Sequence, residues 1–167
     1  TYYPMVGLVQ IATQQHCFLI DPLAISNLAP LAELLSRSDL LKVVHAGSED
    51  MEVFQYALGI TPAPVFDTQI ATAALGIGFS MSYQRLVAHY LSIDVPKEET
   101  RSDWLRRPLT ASQLQYAALD VVYLYRVYFD QLRQLKHLDR EKWVLEESAK
   151  LNELLPTAID PAESYLK

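Results

Sequence analysis

Apolar and polar positions change their period several times along the chain, and each change predicts an element. Gly7 to Ala12 (GLVQIA) and His16 to Ile20 (HCFLI) are short apolar runs on either side of Thr13-Gln14-Gln15, which predicts two strands and a turn. Asp21-Pro22 ends the second run. Asn27 is placed to cap a helix whose apolar positions are Leu28, Leu31, Leu34 and Leu35. Leu40 to His45 reads as a short strand, then a small-residue turn and the acidic start of a helix carrying Met51, Val53, Phe54 and Leu58.

Pro62 and Pro64 set off an extended piece ending at Asp67, and helices follow over about 68–75 and 82–91. Residues 92–109 carry no periodicity and are broken by Pro96 and Pro108. Thr110-Ala111-Ser112-Gln113 is a capping box, opening a long helix to about Leu135 with the stripe Leu114, Ala117, Val121, Leu124, Tyr128, Leu132 and Leu135. A last helix is predicted from about Asp139 to Leu155, ended by Pro156. Strands first and helices later predict an α/β chain with a mixed sheet flanked by helices.

With 167 residues, half of them hydrophobic, the chain suits one globular domain. It contains no apolar run long enough to span a bilayer. Cys17 is the single cysteine, so an internal disulfide and a cysteine metal cluster are excluded, and a reducing cytoplasm is the expected setting. The net charge of −6 lacks the basic footprint of a nucleic-acid protein and leans instead toward an acidic, cation-gathering enzyme. That charge is uneven: residues 1–96 hold three basic and eight acidic side chains, whereas residues 97–167 hold eleven and twelve.

Several carboxylates are candidates for chemistry, each with a plainer alternative. Tyr116 and Asp120 are one helical turn apart and share a face beside the core stripe, where they either line a cleft or form a helix-edge hydrogen bond. Asp50 lies in the first turn of a helix after a strand, as a hard-cation ligand or as helix-start chemistry. Asp67 precedes a helix and reads as structural. The four histidines have no metal-ligand spacing; His45 ends a strand near Asp50 and faces the same cleft or is a satisfied structural residue. Arg101, Arg106 and Arg107 surround Trp104 in the irregular stretch, as phosphate contacts with Arg101 foremost, or as a solvated loop with Trp104 its packing anchor. No GxGxxG, P-loop or GxSxG is present.

Four blocks, HAGSEDMEVF at 45–54, FDTQIA at 66–71, RSDWLRRPLT at 101–110 and YAALDVVYL at 116–124, together resemble the ribonuclease D family, in that family's order. This is the group of 3′–5′ exonucleases with four acidic ligands and a tyrosine. The resemblance implies a ribonuclease-H-like fold and two divalent cations, Mg²⁺ or Mn²⁺, held by carboxylates. By position it makes Asp50 and Asp120 metal ligands and Tyr116 the residue that orients the attacking water. It implies RNA 3′ ends as substrate, transfer-RNA precursors among them, and release of nucleoside 5′-monophosphates, with Arg101, Trp104 and His45 as candidate substrate contacts.

The family's first motif, Asp-x-Glu on a strand, is expected upstream of Thr1, so residues 1–155 read as an exonuclease domain lacking that strand and inactive by itself. Residues 156–167 read as the lead into a helical domain. A silent nucleic-acid-binding module of the same fold and a DNA exonuclease are the alternatives.

Overall fold

The computed structural model describes residues 5–97, 99 and 101–153. The proposed lead at 156–167 and the far end of the last predicted helix lie outside them. Strands β1 (Val9–Ala12) and β2 (Cys17–Ile20) form an antiparallel hairpin with Val9 opposite Ile20. Helix α1 (Ala29–Ser36) follows, with the Asn27 side chain accepting the Ala29 N–H at 3.0 Å. Strand β3 (Lys42–Val44) leads into α2 (Ser48–Leu58). Strand β4 (Val65–Asp67), parallel to β3, leads directly into α3 (Thr68–Ala74). Helix α4 (Tyr83–Leu91) is capped by the Ser82 side chain. Helices α5 (Ala111–Val122), α6 (Leu124–His137) and α7 (Glu141–Ala149), with a short 3₁₀ turn at Lys150–Asn152, complete the order.

Strand directions are mixed, as expected. Among the described residues the strands form two two-stranded sheets, β1–β2 and β3–β4. Helix α5 packs on the hairpin, while α3, α6 and α7 pack around β3 and β4. Phe66, Ala71, Leu135 and Val144 make the centre of the second layer. Val9, Leu31 and Leu35 fix α1 against the hairpin.

The long helix predicted over 111–135 is two helices. The expected capping box is present in full, with Thr110 Oγ1 accepting the Gln113 N–H at 3.1 Å and Gln113 Oε1 accepting the Thr110 N–H at 2.9 Å. The break comes at Tyr123, and its cause is a side chain from α4. The Tyr83 hydroxyl donates to the Leu119 carbonyl at 2.6 Å, and the Tyr123 N–H turns to the Val121 carbonyl. Leu119 and Tyr123 are the acceptor and donor that an unbroken helix would pair. A group inserted into the i→i−4 ladder is an established cause of a kink.

On α6 the residues Leu124, Val127, Gln131 and Leu135 are buried, the predicted Tyr128 packs edge-on against Phe66 from a partly buried position, and Leu114 is exposed. The last helix starts at Glu141, two residues later than predicted, because Asp139 has a left-handed φ of 54°.

Candidate active site

A cleft of about 390 Å³ opens between the two sheets. β1 and β3 contribute apolar walls through Val9 and Val44, and Asp50, Tyr116 and Asp120 line it together. The turn from β3 to α2 brings Asp50 there, and the cleft-facing flank of α5 brings Tyr116 and Asp120. Three residues from distant parts of the chain thus meet on one surface.

The electrostatics of this surface favour a cation. Partial burial pushes the Asp120 carboxyl up to about 6. Asp50 keeps an exposed surface, yet enough protein surrounds its carboxyl that burial, and then the charges of Glu49 and Asp67, push it up to about 6 as well. A charged carboxylate in such a place is stabilised by a positive partner, and none is supplied by a side chain lining the cleft. Both groups offer the hard oxygen donors that Mg²⁺ and Mn²⁺ take. Among the described residues no group of three His, Cys, Asp or Glu side chains converges on a point.

Asp67 has a larger part than helix-start chemistry alone. Its buried carboxylate accepts three backbone N–H groups: Gln69 at 2.7 Å, Ala46 at 3.1 Å and Gly47 at 2.9 Å. The first caps α3; the other two hold the turn that leads from β3 to Asp50. That turn needs holding, since Ala46 sits at a left-handed φ of 52°. Gly47 is required by space, because a Cβ there would lie 2.6 Å from Val44 Cγ2.

His45 lines the cleft, but both of its ring nitrogens are engaged. Nε2 lies 2.8 Å from the Met81 carbonyl, which can only accept, so Nε2 carries the proton. Nδ1 lies 2.9 Å from Thr68 Oγ1. Burial lowers its pKa, partly offset by the Asp67 charge and the Met81 carbonyl. The geometry is that of a tie between β3, α3 and the segment before α4.

Trp104 is half-buried behind Tyr116, with ring centroids 6.1 Å apart. Gly7 allows this packing, because a Cβ there would lie 2.9 Å from Trp104 Cβ. Arg101 and Arg106 are exposed. Arg107 is committed elsewhere: its guanidinium meets both Asp21 oxygens at 2.6 and 2.7 Å and donates to the carbonyls of Gly7 and Trp104. It clamps the approach to β1, the end of β2 and the Trp104 loop, which removes it from the candidate phosphate contacts. Tyr83, which the residue pattern alone did not single out, lines the same cleft. Nothing local in the sequence marks it, since its partners are on α5 and at the α5–α6 break.

The chain is similar to known exonucleases. A family model described as 3′-5′ exonuclease matches residues 1–136. Ribonuclease D of Pseudomonas paraeruginosa is 48% identical over 165 residues, covering 99% of this chain and 44% of that protein. The crystal structure of Escherichia coli RNase D, described as an exoribonuclease involved in structured RNA processing, superposes with a TM-score of 0.92 at 36% identity, over 99% of this chain and 44% of that one. Brucella melitensis NrnC with bound Mg²⁺ superposes with a TM-score of 0.78 at 27% identity, over 87% of this chain and 72% of that one. The chain therefore spans less than half the length of the ribonuclease D proteins it matches.

Proposed function

The chain belongs to the 3′-5′ exonuclease family, and from that premise we propose that its full-length protein is a metal-dependent 3′–5′ exoribonuclease. It shortens RNA from the 3′ end and releases nucleoside 5′-monophosphates, with transfer-RNA precursors among its substrates. The observation that carries this reading is the convergence of Asp50, Tyr116 and Asp120 on one cleft. A silent module would have no use for a phenol and two carboxylates raised to about 6 in one place.

Asp50 and Asp120 would hold divalent cations from the wall of the cleft, together with further oxygen ligands. When bound, a pair of divalent ions stabilises charge on the attacking and leaving oxygens of a phosphodiester. The chain's own part is positioning. Tyr116 holds the attacking water by a hydrogen bond from one helical turn before Asp120. Trp104 backs the Tyr116 ring. Arg101, exposed on the same loop, contacts a backbone phosphate of the RNA.

The test is to incubate the full-length protein and Mg²⁺ with 3′-labelled and 5′-labelled RNA and DNA of one sequence. Immediate release of labelled 5′-monophosphate from the 3′-labelled RNA, lost in Asp50→Asn and Asp120→Asn, is the expected result. Release from the 5′ end first, equal activity on DNA, or no release would each overturn it.

A further inference from the structure

We propose that Tyr83 is a positioning residue for Asp120: its hydroxyl, wedged into the helix ladder beside that aspartate, holds open the turn that presents the carboxylate to the cleft. The inference rests on the reading of Asp120 as a metal ligand.

The geometry is specific. In an unbroken helix the Leu119 carbonyl would accept the Tyr123 N–H, four residues on. Here the Tyr83 hydroxyl donates to that carbonyl at 2.6 Å, and the Tyr123 N–H turns to the Val121 carbonyl. Asp120 is the first residue inside the turn so opened. The helix resumes at Leu124, with Val127 and Gln131 buried.

The wedge is itself braced from two sides. Tyr83 packs against the cluster of Met81, Leu86, Leu124 and Val127. Its ring also lies tilted against His45, with centroids 5.9 Å apart, and His45 is tied through Nε2 to Met81. The end of β3, the start of α4 and the break after α5 thus form one connected unit around the cleft. The hydroxyl serves this unit by its place rather than by stabilising the fold. Without it, Leu119 and Tyr123 have each other as partners, and neither is left unsatisfied.

That separation gives a sharp test in Tyr83→Phe, which keeps the ring and its packing and removes one oxygen. In the full-length protein, the variant's ladder should close across Leu119 and Tyr123 and draw Asp120 away from its place. Mn²⁺ affinity, read from the free-ion EPR signal in titrations without RNA, should weaken about tenfold, the lower end of what loss of a ligand-orienting partner costs. The thermal midpoint should equal or exceed that of the wild type, and the KM for RNA at saturating metal should be unchanged.

Mn²⁺ affinity within twofold of wild type would overturn the inference. So would a fall in thermal midpoint accompanying the loss of affinity, because Tyr83 would then be an ordinary structural residue. Asp120→Asn separates the two levels of the argument. If it loses Mn²⁺ while Tyr83→Phe does not, only the positioning role fails. If Asp120→Asn binds Mn²⁺ like the wild type, the metal reading fails and takes this inference with it.

Discussion

The Asp67 carboxylate accepts the backbone N–H of Gly47 at 2.9 Å and so ties the end of β4 to the turn that carries Asp50 into the cleft. With the N–H groups of Ala46 and Gln69, three buried donors depend on one side chain. Asp67→Asn keeps the shape but puts an amide donor against one of these donors. A hydrogen bond to a charged group contributes about 1.5–3 kcal/mol, and an orphaned buried donor costs a similar amount. Asp67→Asn should therefore lower unfolding free energy by roughly 2–3 kcal/mol, read as a reduced urea midpoint with an unchanged m-value. A variant as stable as wild type would remove Asp67 from this role.

Two arginines of one short loop should behave oppositely toward RNA. Arg107 is saturated by Asp21 and three carbonyls, whereas Arg101 is exposed. In the full-length protein Arg101→Ala should reduce the slope of log K against log salt by about one unit, the signature of one lost phosphate contact. Arg107→Ala should leave that slope unchanged and lower the thermal midpoint, because the Gly7 and Trp104 segments lose their clamp. Equal slopes for Arg101→Ala and wild type would dismiss the phosphate contact.

Much of this was legible in the residues, and the rest was not for identifiable reasons. Thr110 announces a helix start because a cap is a contact within three residues. Asp50, Tyr116 and Asp120 are legible as a set only through their blocks, because their meeting is a matter of tertiary placement. The break at Tyr123 is invisible locally: residues 111–135 keep a helical pattern throughout, and the interruption comes from a hydroxyl on another helix. His45 and Arg107 show the same limit. A histidine at the end of a strand and an arginine in a basic loop look available, and only the fold shows their donors already spent on Met81, Asp21 and Gly7.

His45 should leave a mark on the pH dependence of stability. Its folded pKa lies below the ordinary histidine value of about 6.5 because burial disfavours the imidazolium. Between the two values the unfolded chain binds more protons, so this residue's contribution is retained above 6.5 and lost as pH falls. Asp50 and Asp120 act in the opposite sense: with carboxyls raised to about 6, the folded state binds more protons as pH falls toward 4. The difference between His45→Gln and wild type isolates the histidine. In urea unfolding at pH 7.5 to 5, the variant should gain stability relative to wild type as pH falls below about 6.5. A pH-independent difference would mean the ring is not held neutral.

Tyr116→Phe is the most direct test of the chemistry, because it removes one oxygen from the cleft and leaves the ring to pack on Trp104. A phenol is a weak candidate for a metal ligand beside two carboxylates, and its value lies in directing a water that a cation would acidify. If that is its role, substrate binding and metal binding survive the substitution and only the reaction slows. In the full-length protein, Mn²⁺ affinity, thermal midpoint and KM for RNA should stay near wild type. Turnover should fall by about 10²–10⁴-fold, the range of a positioned proton-transfer group. Asp120→Asn, one turn on, should instead lose metal affinity together with turnover, and excess Mn²⁺ should recover part of the activity. The contrast matters more than either loss alone, since any damage to α5 would affect both readouts in both variants. Wild-type turnover by Tyr116→Phe at saturating Mg²⁺ would leave the tyrosine as a packing partner of Trp104 and would remove the water-orienting step from the mechanism.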